Sequence, residues 1–160
     1  MTINSKSLNM KTQKNILLIE DDHDDQFIFK EAIGKCADAR LVHIANNGKE
    51  ALDWLNTSTT LPDLIFSDIN MPMMNGIDCY SEILKIPAIC KVPVIFLSSD
   101  TSAIENVGKL GAKMFIKKGS DDVTLKMLIE RVIKMELFVD SLKPIITYNH
   151  NIRKSKITLS

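Results

Sequence analysis

The sequence predicts an α/β protein built on a doubly wound parallel sheet of five strands, and two observations carry that prediction. Five short apolar, β-branched runs recur along the chain, and a stretch with helically spaced apolar residues follows each of them. Strands that are hydrophobic on nearly every residue need cover on both faces, and right-handed crossovers place the intervening helices there.

In chain order the strands are NILLI (15–19), LVHIA (41–45), DLIFS (63–67), VPVIFLS (92–98) and KMFIK (113–117). The first helix, in DQFIFKEAIGKC, has an apolar face of Phe27, Ile28 and Ala32. The second, in GKEALDWLN, turns Ala51, Leu52 and Leu55 inward with Trp54 as a further core candidate. The third, in IDCYSEILKI, uses Tyr80, Ile83 and Leu84, and SAIENVGKLGA is a weaker fourth. The fifth, roughly 121–142, aligns Leu125, Leu128, Ile129, Val132 and Ile133. Gly34 and Gly111 are helix stops, and Gly48 precedes the second helix.

A chain of 160 residues suits one domain, expected over 14–141, with a polar N-terminal tail over 1–13 and a flexible C-terminal tail over 142–160 beyond the helix-stopping Pro144. Lys+Arg and Asp+Glu are equal at 20 each, so no overall field draws the protein to nucleic acid or an anionic membrane. Basic Arg153, Lys154 and Lys156 read as a solvated terminus. The start lacks an apolar leader and no run approaches membrane-spanning length, so a cytoplasmic protein without membrane or nucleic-acid partners is expected. Cys36, Cys79 and Cys90 have no metal spacing and are too few for a disulfide framework; they read as small buried apolar residues.

In such a sheet, ligands bind beyond the carboxyl ends of the strands, near the point where strand order reverses. The first strand runs into EDDHDD, the third into Asp68, the fourth into Ser98 and Ser99, and the fifth into Lys117 and Lys118. Carboxylates that converge repel one another unless a cation is present. Mg²⁺ accepts oxygen ligands and keeps several waters, so two carboxylates and a carbonyl suffice to hold it. Asp68 is then a nucleophile toward a phosphoryl group, with Lys118 pairing the phosphoryl oxygens and the Ser98 hydroxyl donating to one of them. Asp24 and Asp25 are expected to cap the following helix, His23 to be a solvated loop histidine, and His43 to be partly buried and hydrogen-bonded. Pro72 and Gly76 read as turn residues, with Met71, Met73 and Met74 as packing or contact groups.

Taken together, Glu20 and Asp21 after ILLI, Asp68 in SDINMPMMNG, Ser98 after VIFL, and Lys118 three positions after Phe115 resemble the receiver domains of two-component response regulators. The resemblance covers roughly 14–141 and implies a flavodoxin-like (βα)5 fold with strand order 2-1-3-4-5. It implies Mg²⁺ held by Asp21, Asp68 and the Asn70 backbone carbonyl, with Glu20 acting through water. It also implies a stand-alone phosphoacceptor, not an enzyme in its own right, whose Asp68 is phosphorylated by a sensor histidine kinase or histidine phosphotransfer protein. Ser98 and Phe115 would then switch the face made by the fourth helix, fifth strand and fifth helix for a downstream protein, a homodimer or a phosphorelay. Asn70 and Asp100, two positions beyond Asp68 and Ser98, flank the phosphoryl group and set its lifetime, here expected to be short.

Gly119 departs from the family's usual proline after the lysine, which puts the position of Lys118 in question and leaves Lys117 as its alternative. Two other functions compete. One is a phosphorylation-independent interaction module on the same fold, which has no need of these charges in one crevice. The other is a metal-dependent phosphatase, which needs a substrate-covering insertion that the short connections lack.

Overall fold

The computed structural model describes residues 13–112, 114–119, 121–136 and 146–148. Strands β1 (Lys14–Ile19), β2 (Ala39–Ala45), β3 (Leu64–Asp68), β4 (Val94–Ser98) and β5 (Met114–Lys117) alternate with helices α1 (His23–Gly34), α2 (Gly48–Thr57), α3 (Gly76–Ile83), α4 (Ile104–Lys109) and α5 (Asp122–Glu136). All strand pairs are parallel, and the five strands stand in the expected order β2-β1-β3-β4-β5. A sixth, β6 (Ile146–Tyr148), continues the sheet beyond β5, with Met114 opposite Ile146 and Ile116 opposite Tyr148. It falls within the segment expected to be a tail, because a run this short carries no periodicity that separates strand from coil. Residues 1–12 and the rest of 142–160, including Arg153, Lys154 and Lys156, lie outside the described residues.

Local chemistry explains the shifted boundaries. Pro93 has no N–H to give a ladder, so β4 starts at Val94, although the Pro93 carbonyl still accepts from Ile65 at 3.0 Å. β2 begins earlier than its apolar run and carries an irregularity: Leu41 faces Ile16 and His43 faces Leu17, leaving Val42 as the extra residue. After α4, Gly111 at φ 90 closes the helix, donating to the Gly108 carbonyl while Ala112 donates to that of Val107.

Alternation along the strands divides the interior in two. Ile16, Leu18, Phe66, Ile95 and Ile116 face α1 and α5, where Phe29 meets Phe66 edge-on with ring centroids 4.8 Å apart. Leu17, Ile65, Phe96 and Phe115 face the other side with Ala51, Leu55, Tyr80 and Ile83 from α2 and α3. The apolar faces foreseen for α2, α3 and α5 hold, but that of α1 is rotated. Ile28, Phe29, Ala32 and Ile33 are buried, whereas Phe27 is 61% exposed and lies under the Lys126 ammonium, 6.0 Å from its ring centre. The i, i+4 pair Ile28 and Ala32 already fixes the inward face, and Phe27 lies off it. His43 is partly buried as foreseen, yet it stacks on Trp54 at 4.8 Å, and its Nε2 has no hydrogen-bond partner. Cys36 and Cys79 are buried and Cys90 half-buried, all as free thiols.

α3 is seated directly on the end of β3. Asn75 caps it by accepting from the Asp78 N–H at 2.8 Å, and Gly76 donates to the Ile69 carbonyl at 2.9 Å. A Cβ on Gly76 would overlap the Asp68 carbonyl oxygen and come within 2.8 Å of the Ser67 hydroxyl. Gly76 is therefore the first residue of the helix rather than only a turn residue, and the close approach requires it. Gly76→Ala is expected to destabilise the protein by about 2–3 kcal/mol, the range of an overpacked core, measured by urea unfolding.

Candidate functional site

Parallel strands deliver their carboxyl ends to one edge, and four of those ends build an open cavity of about 440 Å³. β1 ends at Ile19, so Glu20 and Asp21 are the next two residues; β3 ends at Asp68 itself; Lys118 follows β5. Glu20, Asp21 and Asp68 each offer a carboxylate oxygen, and these atoms all lie within 4.8 Å of one another. Asn70, Asp22, Asp25, Ser99 and Gly119 complete the lining.

Lys118 is the hub. Its Nζ lies 2.7 Å from Glu20 Oε2, 2.7 Å from Asp25 Oδ2 and 3.3 Å from Asp68 Oδ1. The described peptide bonds include no cis bond, so Gly119 leaves the bond after Lys118 trans. The position of Lys118 is instead set by its backbone N–H, which donates to the Ser98 carbonyl at 2.9 Å. Lys117, by strand alternation, is exposed outside the cavity.

Burial governs the charges. It pushes Glu20, almost wholly shielded from solvent, up to about 7, against the stabilising hydrogen bond and charge of Lys118. Burial also raises Asp68, opposed by Lys118 and by the Ile69 N–H. For Lys118, burial disfavours the ammonium, but its hydrogen bonds to Asp25 and Glu20 and the charges of Glu20 and Asp68 outweigh it, and the net shift is upward. One ammonium thus faces a surplus of carboxylates. An all-oxygen donor set with uncompensated negative charge fits a hard divalent cation such as Mg²⁺, with Glu20, Asp21 and Asp68 as the carboxylates that would hold it.

The remaining sequence candidates divide. Ser98 is buried at the end of β4, its hydroxyl accepting from the Asp100 N–H at 3.2 Å. Phe115 is fully buried in the core against α2 and α3. Asn70 lines the cavity. Asp100 does not: its carboxylate accepts from the Ser102 N–H and hydroxyl, both at 2.8 Å, and these bonds hold its pKa below the ordinary value.

The first turn of α1 differs from expectation. Asp22, not Asp24 or Asp25, is the cap, accepting from both of their N–H groups at 2.8 and 3.1 Å. Asp25 is thereby released to pair with Lys118. His23 opens the helix, with Nδ1 3.4 Å from Gln26 Oε1. Sequence reasoning passed over Gln26, which is buried and donates to the Glu20 carbonyl at 2.8 Å and to Asn46 Oδ1 at 3.0 Å, fixing the backbone that carries Glu20. The signal was available: Gln26 precedes Phe29 and Ile33 by three and seven residues, a core position filled by a polar side chain.

A parallel sheet in the order β2-β1-β3-β4-β5, with an acidic crevice and Lys118 at its strand ends, defines a flavodoxin-like class of protein. Comparison narrows it, since the family model described as the response regulator receiver domain matches residues 16–130. The chain belongs to that family. It is 34% identical over 105 residues to the chemotaxis protein CheY of Thermotoga maritima, covering 66% of this chain and 85% of that protein. It is 29% identical over 135 residues to the sensor histidine kinase CheAY of Helicobacter pylori, covering 83% of this chain but 17% of the kinase. Among solved structures, the phosphorylated cyanobacterial phytochrome response regulator RcpA superposes with a TM-score of 0.76 at 25% identity, covering 83% of this chain and 100% of that one. No helix among the described residues is long and apolar enough to cross a membrane.

The raised acids give a pH signature. Between the ordinary glutamate value of 4.5 and about 7, folded Glu20 holds a proton that the unfolded chain releases, so stability falls as pH rises through that window. Asp68, also raised, acts in the same direction. In urea unfolding without divalent cations, the protein should be more stable at about pH 5 than at about pH 8, by on the order of 2 kcal/mol. Glu20→Gln should flatten that dependence, and saturating Mg²⁺ should restore stability at the higher pH.

Proposed function

We propose that this protein is a stand-alone response regulator receiver whose Asp68 accepts a phosphoryl group, in a Mg²⁺-dependent reaction, from a phosphohistidine on a sensor histidine kinase or histidine phosphotransfer protein. The observation that carries this is the junction of Glu20, Asp21 and Asp68 with Lys118 in one crevice, a costly arrangement for a fold that had no use for it. The high coverage of CheY and RcpA supports a single receiver, and the phosphorylated state of RcpA supports the phosphoacceptor role.

An Asp68 carboxylate oxygen attacks phosphorus as the bond from phosphorus to the donor imidazole nitrogen breaks, and that electron pair leaves with the imidazole. Mg²⁺ would be held by Asp21, Asp68 and the Asn70 carbonyl, with Glu20 contributing through water, and would supply charge shielding between the carboxylate and the incoming phosphoryl group. Lys118 moves from its carboxylate partners to the phosphoryl oxygens, and the Ser98 hydroxyl donates to one of them. Because the Lys118 N–H is bonded to the Ser98 carbonyl, the two respond together.

The β4 to α4 loop follows Ser98, and Phe115 repacks in the space left, shifting the α4, β5 and α5 face between two states. That face then serves a downstream protein, a second copy or a phosphorelay. Asn70, which lines the cavity, is placed to orient a hydrolytic water; Asp100 reaches that role only by leaving Ser102. The setting is cytoplasmic, where such kinases present their phosphohistidines.

Intact mass after incubation with acetyl phosphate should rise by one phosphoryl group in wild type with Mg²⁺, and not in its absence or in Asp68→Ala. No gain from folded, Mg²⁺-binding protein would point to the phosphorylation-independent interaction module instead.

A further inference from the structure

Asp25 stands apart from the other acids of the crevice. It lies outside the set Glu20, Asp21 and Asp68, yet it holds Lys118 as closely as Glu20 does, at 2.7 Å, and more closely than Asp68, at 3.3 Å. An ammonium has three N–H donors, and Lys118 gives two of them to Glu20 and Asp25, while Asp68 is an ion-pair partner at 3.3 Å. Resting Lys118 is therefore drawn toward two carboxylates other than that of Asp68.

Both partners are anchored by their backbones. The Asp25 N–H is held by Asp22 in the first turn of α1, and the Lys118 N–H by the Ser98 carbonyl, so the contact between them opens most directly by side-chain movement. Which contact yields follows from exposure: the Glu20 side chain is 1% exposed and that of Asp25 is 28% exposed. A released Glu20 carboxylate would be stranded without solvent, whereas water can take over from Lys118 at Asp25.

We propose, resting on the phosphoacceptor function above, that Asp25 is a positioning residue: it holds the Lys118 ammonium in the unphosphorylated protein and has to release it for that N–H to turn to the phosphoryl oxygens. Asp25 thereby acts as a brake on phosphoryl transfer. It acts through Lys118 and takes no part in bond making.

The test is the rate of phosphorylation by acetyl phosphate with saturating Mg²⁺, followed by intact mass for wild type, Asp25→Asn, Asp25→Glu, Lys118→Ala and the double variant Asp25→Asn/Lys118→Ala. Asp25→Asn should react about fivefold faster than wild type, and Asp25→Glu, which keeps the carboxylate, should stay within about twofold. In the Lys118→Ala background the Asp25→Asn acceleration should vanish, because the coupling runs through the ammonium. A merely structural or long-range electrostatic role would leave the acceleration in both backgrounds. Metal-free protein gives a second readout: the Lys118 ammonium protons should be protected from exchange in NMR spectra of wild type and Asp25→Glu, and lose that protection in Asp25→Asn.

Asp25→Asn reacting at the wild-type rate, an acceleration that survives Lys118→Ala, or unchanged ammonium protection in Asp25→Asn would each overturn the brake while leaving the phosphoacceptor function standing. Wild type that gains no phosphoryl group would overturn both.

Discussion

Lys118 and Glu20 are 98 residues apart in sequence and 2.7 Å apart in space, and the rest of the site depends on that ion pair. No local propensity brings them together. β1 and β5 are separated in the sheet by β3 and β4, and the parallel arrangement sends all four carboxyl ends to one edge. The ammonium is then the counter-charge, among the described residues of the crevice, for Glu20 and Asp68, which burial drives toward protonation. Glu20 is held from behind as well, since Gln26 bonds its carbonyl and the Asp22 N–H donates to its Oε1 at 3.2 Å. The crevice is thus preformed, and its remaining negative charge gives it its appetite for a hard cation.

Legibility in the sequence followed the physics of each feature. Five continuous apolar runs could be read because strands covered on both faces leave no other pattern; the strand-end rule then pointed to EDDHDD, Asp68, Ser98 and Lys118, and the family resemblance singled out Glu20 and Asp21. What stayed hidden depended on side-chain direction. Asp22, Asp24 and Asp25 are all plausible caps by composition, and only the first turn's rotation assigns the cap to Asp22 and turns Asp25 toward Lys118. Phe27 looked like core because it is aromatic and adjacent to Ile28, yet one residue is a rotation of about 100° on a helix. β6 was invisible for a different reason: a strand of 3 residues has too little sequence to carry a signal.

The loop beyond Asp68 shows how tightly the end of β3 is tied to its surroundings. Met73 takes a positive φ of 66, unusual for a side chain with a Cβ, and is 80% exposed. The Met74 carbonyl accepts from the Gly48 N–H at 3.0 Å, which ties this loop to the start of α2. With α3 seated on the Asp68 carbonyl through Gly76, the end of β3 has little freedom to move, so the proposed phosphoryl group on Asp68 would be accommodated by the other side of the crevice.

That other side is built to move as a unit. Gly119 stands where the family usually has proline, so no proline ring constrains the turn after β5. The constraint that remains is the hydrogen bond from the Lys118 N–H to the Ser98 carbonyl, which extends the β4 and β5 ladder by one step and sits between the two groups proposed to receive the phosphoryl oxygens. Phe115, three residues earlier on the same strand, faces Phe96 across that ladder. In the proposed switch, a displacement of Ser98 toward Asp68 would reach Lys118 through this hydrogen bond and Phe115 through strand register, with no separate relay needed. The close packing at the end of β3 and the linked pair at β4 and β5 make the crevice asymmetric, and that asymmetry would direct the proposed response toward the α4, β5 and α5 face.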